Sequence, residues 1–218
     1  MMRINIAIDL KGRTPSESLA KVISFIFNPY SMALALIPIS MRDGNVGFSL
    51  LAMLSLALAP LLKHMHGVHK GFWDLDISDY KKRPSILMLS GLTGILGSYL
   101  LFLLGAKYTS LATLLYATTG LVAALASKYV KVSIHVATAS ITTVALAYTF
   151  GKWILVIAVP LTALIAWSRL KLRAHTPLEV SEGISVAGVG STLAFIIMMY
   201  IFSHFHIGVL VVEQTSGI

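Results

Sequence analysis

Seven long apolar runs separated by short polar breaks dominate the chain: residues 22–41, 45–62, 85–105, 108–127, 133–150, 152–167 and 184–203. Each approaches the about 20 residues with which a helix crosses a hydrocarbon core of roughly 30 Å, and most hold no formal charge inside. The pattern predicts an all-α fold, a polytopic membrane bundle of six to seven transmembrane helices. Three breaks, at Arg42–Asn45, Gly105–Tyr108 and Gly151–Lys152, are too short to reach a distant helix, so the helices they join are antiparallel neighbours. Residues 1–21 read as an amphipathic amino-terminal segment, ahead of a single transmembrane domain over 22–218. In that segment Thr14-Pro15-Ser16-Glu17 is a capping box that opens a helix. Its basic start is not followed by a small-residue cleavage site, so a removable signal peptide is not expected.

Composition agrees with the pattern. Hydrophobic residues make up 56% and charged residues 12% of 218 positions, about half the usual charged share, and mean hydropathy is +0.82. With no cysteine, disulfides, thiolate metal sites and Cys nucleophiles are excluded. A net charge of +8 would suggest nucleic acid in a soluble protein, but here its distribution serves topology and no nucleic-acid partner is expected. Seven crossings place the amino terminus and the loops 63–84, 128–132 and 168–183 on one face. That face holds all of the 17 Lys and Arg except Arg42, Lys107 and Lys152. The positive-inside rule makes it cytoplasmic.

None of the nine acids lies in mid-span, which argues against an ion-coupled transporter with an ionisable relay in the bilayer. The chemistry gathers instead on the basic face, at three predicted helix starts: Arg83-Pro84, Ser133-Ile134-His135 and His175-Thr176-Pro177-Leu178-Glu179. Unpaired N–H groups and the positive end of the macrodipole make a helix start receptive to anions, phosphate above all. Arg83 and Arg169 add planar guanidinium clamps. A histidine beside a helix start is kept neutral, so His175 is a candidate nucleophile toward phosphorus. His135 is a candidate acid and base, and Glu179, four residues on, a candidate partner for the second ring nitrogen of His175.

Ser168-Arg169, five residues, His175, three residues, Glu179 resembles the third signature of the type 2 phosphatidic acid phosphatase superfamily, Ser-Arg-x5-His-x3-Asp. Val132-Ser133-Ile134-His135 is similar to the second, Pro-Ser-Gly-His, and Arg83-Pro84 to the end of the first, Lys-x6-Arg-Pro. The resemblance covers roughly residues 70–185. It implies a type 2 phosphatidic acid phosphatase-like core and a metal-independent, cofactor-free phosphatase acting on a lipid phosphate or diphosphate, with a phosphohistidine on His175 and His135 as acid and base. Arg83, Ser133 and Arg169 would hold the phosphoryl group. Four positions depart from the pattern: Asp76 stands where the first signature has Lys, leaving Lys81, Lys82 or Lys70 to supply that charge, Val132 and Ile134 replace Pro and Gly, and Glu179 replaces Asp.

Several readings stand side by side. Thr176-Pro177-Leu178-Glu179 is also a complete capping box, so Glu179 is a cap, an orienter of His175, or both. Lys171 and Arg173 read as interfacial anchors. Asp74, Asp76 and Asp79 either hold magnesium and a diphosphate or pair with Lys81, Lys82 and Arg83. A lipid phosphotransferase, in which another hydroxyl replaces water, and a non-catalytic protein that binds anionic lipid are the rival functions. The oligomeric state and the lipid tail are not encoded in any recognisable pattern.

Overall fold

The computed structural model describes residues 14–74, 77 and 79–201, and the backbone of the last helix as far as Thr215. Among them every regular element is helical. Helix α1 spans Pro15–Ile26, and the capping box that opens it is formed in both directions, Thr14 accepting from the Glu17 amide and Glu17 from the Thr14 amide. Residues 1–13 of the amino-terminal segment lie outside the described residues. Its helix runs on into the first apolar run and breaks at Asn28, where α2 (Pro29–Arg42) begins at 53° to α1. Pro29 cannot donate to a continuing helix and forces the preceding residue out of the helical region. Asn28 is accordingly extended, and its side-chain oxygen caps the new start by accepting from the amides of Tyr30 and Ser31.

The remaining helices are α3 (Gly47–His69), α4 (Pro84–Leu103), α5 (Lys107–Ala126), α6 (Ile134–Phe150), α7 (Leu155–Lys171) and α8 (Pro177–Thr215). Five stretches, Gly47–His69, Tyr80–Leu103, Lys107–Ala126, Lys152–Lys171 and Pro177–Ile201, are long and apolar enough to cross a membrane, and the bent pair α1–α2 makes a sixth. The fifth run, 133–150, gives α6, which has 17 residues and a length of about 25 Å. Two predicted runs are longer as helices than as apolar sequence. Helix α3 continues through His64, His66 and His69, and α8 begins seven residues early at the capped Pro177.

Helix α5 is the centre of the bundle, with 67% of its apolar window buried against 33% or less in the other four long helices. Its buried face is rich in small and hydroxylated residues, including Thr109, Ser110, Thr113, Ala117, Thr118 and Thr119, which let backbones approach closely in an apolar solvent. A Cβ on Gly190 of α8 would fall 2.7 Å from the Thr119 Cα, and Thr118 donates to the Gly190 carbonyl at 2.8 Å. At the end of the bundle where α5 begins, Asp43 from the α2–α3 turn accepts from the amides of Tyr108 and Thr109 at 3.0 and 2.8 Å and from the Thr109 hydroxyl. A carboxylate thus caps the helix whose own N-cap position is occupied by Ala106.

Candidate functional site

The starts of α4, α6 and α8 meet at the other end, held by hydrogen bonds that run through the backbone. Arg83, at the N-cap position of α4, donates through Nη1 to the Val132 carbonyl at 3.2 Å and through Nε to the Ile77 carbonyl at 2.9 Å. The Ser133 amide, at the start of α6, donates to the Glu179 carbonyl in the first turn of α8 at 3.1 Å. Gly183 makes that last contact sterically feasible, because a Cβ there would lie 2.7 Å from the Ser133 carbonyl oxygen. Ser133 has the extended backbone of an N-cap, but its hydroxyl caps nothing. That oxygen is buried without a hydrogen-bond partner, a state that costs about 1–3 kcal/mol until something bonds to it.

His175 reaches this cluster from the α7–α8 connection. The chain leaves α7 through a Schellman-type turn, with the Arg173 amide bonded to the Leu170 carbonyl and the Ala174 amide to the Arg169 carbonyl. Arg173 takes the left-handed conformation at φ 52°, which Gly usually supplies. Two residues later the His175 Nδ1 lies 2.8 Å from Glu179 Oε2. The same oxygen accepts from the Thr176 amide at 3.2 Å, and Thr176 Oγ1 accepts from the Glu179 amide at 3.3 Å. Glu179 is therefore a cap and a histidine partner at once. Lys131 adds an ion pair to it at 3.7 Å and donates to the Ala174 carbonyl at 2.9 Å.

Burial holds the His175 imidazole well below its ordinary value, to about 4, with the Arg169 and Lys131 charges adding to the lowering and Glu179 opposing it. The direction is the one expected at a helix start; its chief cause is desolvation. At neutral pH the His175–Glu179 contact is a hydrogen bond from a neutral ring to a carboxylate, which fixes the proton on Nδ1 and leaves the Nε2 lone pair for chemistry. His135, in the first turn of α6, stands against the Ser24 backbone within electrostatic range of Arg169, His175 and Arg83. Arg169, in the last turn of α7, is buried and donates through Nη1 to Ser24 Oγ.

The structure arranges the remaining candidates differently. Lys82 donates to the Phe72 carbonyl at 2.8 Å and pairs loosely with Asp79 at 3.8 Å, while the Lys81 amide is capped by Asp79. These contacts tie Lys82 to Phe72 and Asp79. Asp76, the position where the first signature has Lys, lies outside the described residues. A cavity of about 450 Å³ opens beside the pair and is lined by Lys131, Leu170, Arg173, Ala174, His175, Thr176, Pro177 and Glu179. Arg83, Ser133, His135 and Arg169, the expected phosphate ligands and acid–base group, do not line it. His175 thus lines the cavity and also lies within electrostatic range of His135 and Arg169.

Three participants escaped the sequence reading. Lys131 and Arg173 looked like topological charges, and Ser24 lies 145 residues from its partner Arg169. Arg173 carried one usable signal, since the helix it ends has no Gly or Asn after it. His64 is held by packing instead: its ring stacks on Tyr30, its Nδ1 lies 3.1 Å from the Tyr30 hydroxyl, and its carbonyl accepts from the Trp73 indole. Comparisons with protein-family models, with curated proteins and with solved structures find no match to this chain.

Proposed function

We propose that the chain is an integral membrane phosphatase of the type 2 phosphatidic acid phosphatase kind, hydrolysing a phosphate or diphosphate ester of a prenyl, glycerol-based or similar lipid without a metal. The observation that carries this reading is the neutral His175 ring bonded to Glu179 at 2.8 Å, tied by the Ser133 amide to the helix start that bears His135. His175 Nε2 attacks phosphorus, a P–N bond forms, and the bond from phosphorus to the lipid oxygen breaks as His135 delivers a proton to that oxygen. Water then attacks the phosphohistidine, gives a proton to His135, and releases phosphate and the His175 ring. Arg83, Arg169 and the buried Ser133 hydroxyl answer the charge of the phosphoryl oxygens, while Lys131 and Arg173 draw the head group over the outer cavity. The charge asymmetry supports a cytoplasmic orientation for this face.

A second reading has its own support. Lys82 and Arg83 are engaged with backbone carbonyls, as they would be in a bundle that binds anionic lipid without turning it over. Phosphate release from prenyl, glycerol-based and sphingoid phosphates, measured on purified protein with EDTA present, separates the two. The phosphatase releases phosphate, and His175→Ala abolishes release. Lipid binding without release by the unmodified protein, or wild-type turnover by His175→Ala, defeats the phosphatase reading.

A further inference from the structure

Helix α1 lies outside all three signature-like segments, yet it touches two of the candidate site residues. Ser24 is buried on the face that α1 turns toward the bundle, next to Ala20 and Ile23. Ile23 packs with Met32, Ala139 and Ile165, so α1, α2, α6 and α7 share one apolar cluster just below it. The break at Asn28 makes this possible, because a straight continuation of α2 could not lie at 53° to itself and bring Ser24 over the end of α7. From there the Ser24 hydroxyl accepts from Arg169 Nη1, and the Ser24 backbone stands against the His135 ring.

A guanidinium is a rigid planar fork, so holding one of its nitrogens sets the plane in which the other donors lie. We propose that Ser24 is a positioning residue of the anion site, its hydroxyl fixing the plane of the Arg169 guanidinium for a phosphoryl group. This rests on the phosphatase reading above, and it extends the site to a helix that no signature covers. A flexible Arg169 would still supply charge, but it would bind phosphate oxygens less well, which weakens substrate binding more than it slows the chemistry.

Ser24→Thr and Ser24→Val test this as a pair of nearly equal volume that differ in the hydroxyl, with Ser24→Ala as a third variant. In the full-length protein, KM and kcat are measured on a lipid phosphate, and phenylglyoxal modification of Arg169 is read by mass spectrometry with and without inorganic phosphate. Ser24→Val and Ser24→Ala are expected to raise KM about tenfold with kcat within about threefold, and Ser24→Thr to stay within about twofold of wild type. Phosphate is expected to protect Arg169 from modification in wild type and Ser24→Thr, and to lose that effect in Ser24→Val. Wild-type KM in Ser24→Val overturns the proposal, and so does phosphate protection that is equal in both variants or missing from wild type. If the wild-type protein shows no turnover the phosphatase reading fails, and the protection experiment alone decides the role of Ser24.

Discussion

Replacing Gly183 by Ala probes the weld between the second and third helix starts. A Cβ at that position would stand 2.7 Å from the Ser133 carbonyl oxygen and 3.3 Å from the Ala137 amide nitrogen. Neither is the tip of a movable side chain. The carbonyl also accepts the Ala137 amide at 2.9 Å as the first hydrogen bond of α6, so relief requires α8 to back away from α6 by about half an ångström. The Ser133 amide to Glu179 carbonyl bond, already 3.1 Å, then passes beyond hydrogen-bonding distance. Overpacking costs about 1–3 kcal/mol and the lost bond about 1 kcal/mol, against about 1 kcal/mol gained from Ala in a helix. The net is a loss of roughly 1–3 kcal/mol. Gly188, on the same helix, has nothing within 4 Å of its virtual Cβ, so Gly188→Ala is expected to be neutral or to stabilise by up to about 1 kcal/mol. Tryptophan fluorescence followed through thermal unfolding in detergent reads both, and Gly183→Ala should also impair whatever anion binding the site has. Equal midpoints for the two variants would refute the close contact on which the gathering of helix starts depends.

Further outcomes follow from the geometry of the connection. Arg173→Gly removes a left-handed non-glycine residue and is expected to stabilise the protein by about 1 kcal/mol while weakening anion binding in the basic cavity; weaker unfolding resistance with unchanged binding would contradict both halves. His175 is neutral down to about pH 4, so the acid limb of any phosphatase activity should fall near that pH and not near 6.5. Glu179→Gln should lower kcat and move the limb further down, because Glu179 opposes the lowering. His175 also links stability to pH. As pH drops below 6.5 the unfolded chain takes up this proton first, so up to roughly 3 kcal/mol is lost between 6.5 and about 4, with no further loss from it below; an acid limb at 6.5 with no such stability slope rejects the burial of His175.

The helices were readable because bilayer-spanning segments are set by run length and hydropathy, and those properties belong to each segment alone. The helix starts were equally local: Pro84, Thr176-Pro177 and Thr14-Pro15 are capping patterns that act within four residues. What escaped depends on distance in sequence or on geometry with no compositional trace. The first apolar run hides a bend, since hydropathy does not register that Asn28-Pro29 both ends one helix and caps the next. Asp43 reads as a turn residue, because nothing near it in sequence marks the α5 amides that it caps from 65 residues away. Arg173 reads as an anchor, and Lys131 as one more charge of the basic face, because a cation near a membrane interface has that use by default, and only the folded chain brings both to the cavity beside His175. Lys81 and Lys82 suit phosphate by position in sequence, and in the structure Lys82 donates to the Phe72 carbonyl.

The central claim is that gathered helix starts bring two imidazoles to one end of the bundle, where His175 takes a phosphoryl group from a lipid. Incubation with a lipid phosphate labelled with phosphorus-32, quenching in base and mapping of the labelled peptide test it directly. An acid-labile, base-stable label is expected on His175 of the wild-type protein and is expected to be absent from His175→Ala. Wild-type turnover with no covalent label, or a label on another residue, would contradict it.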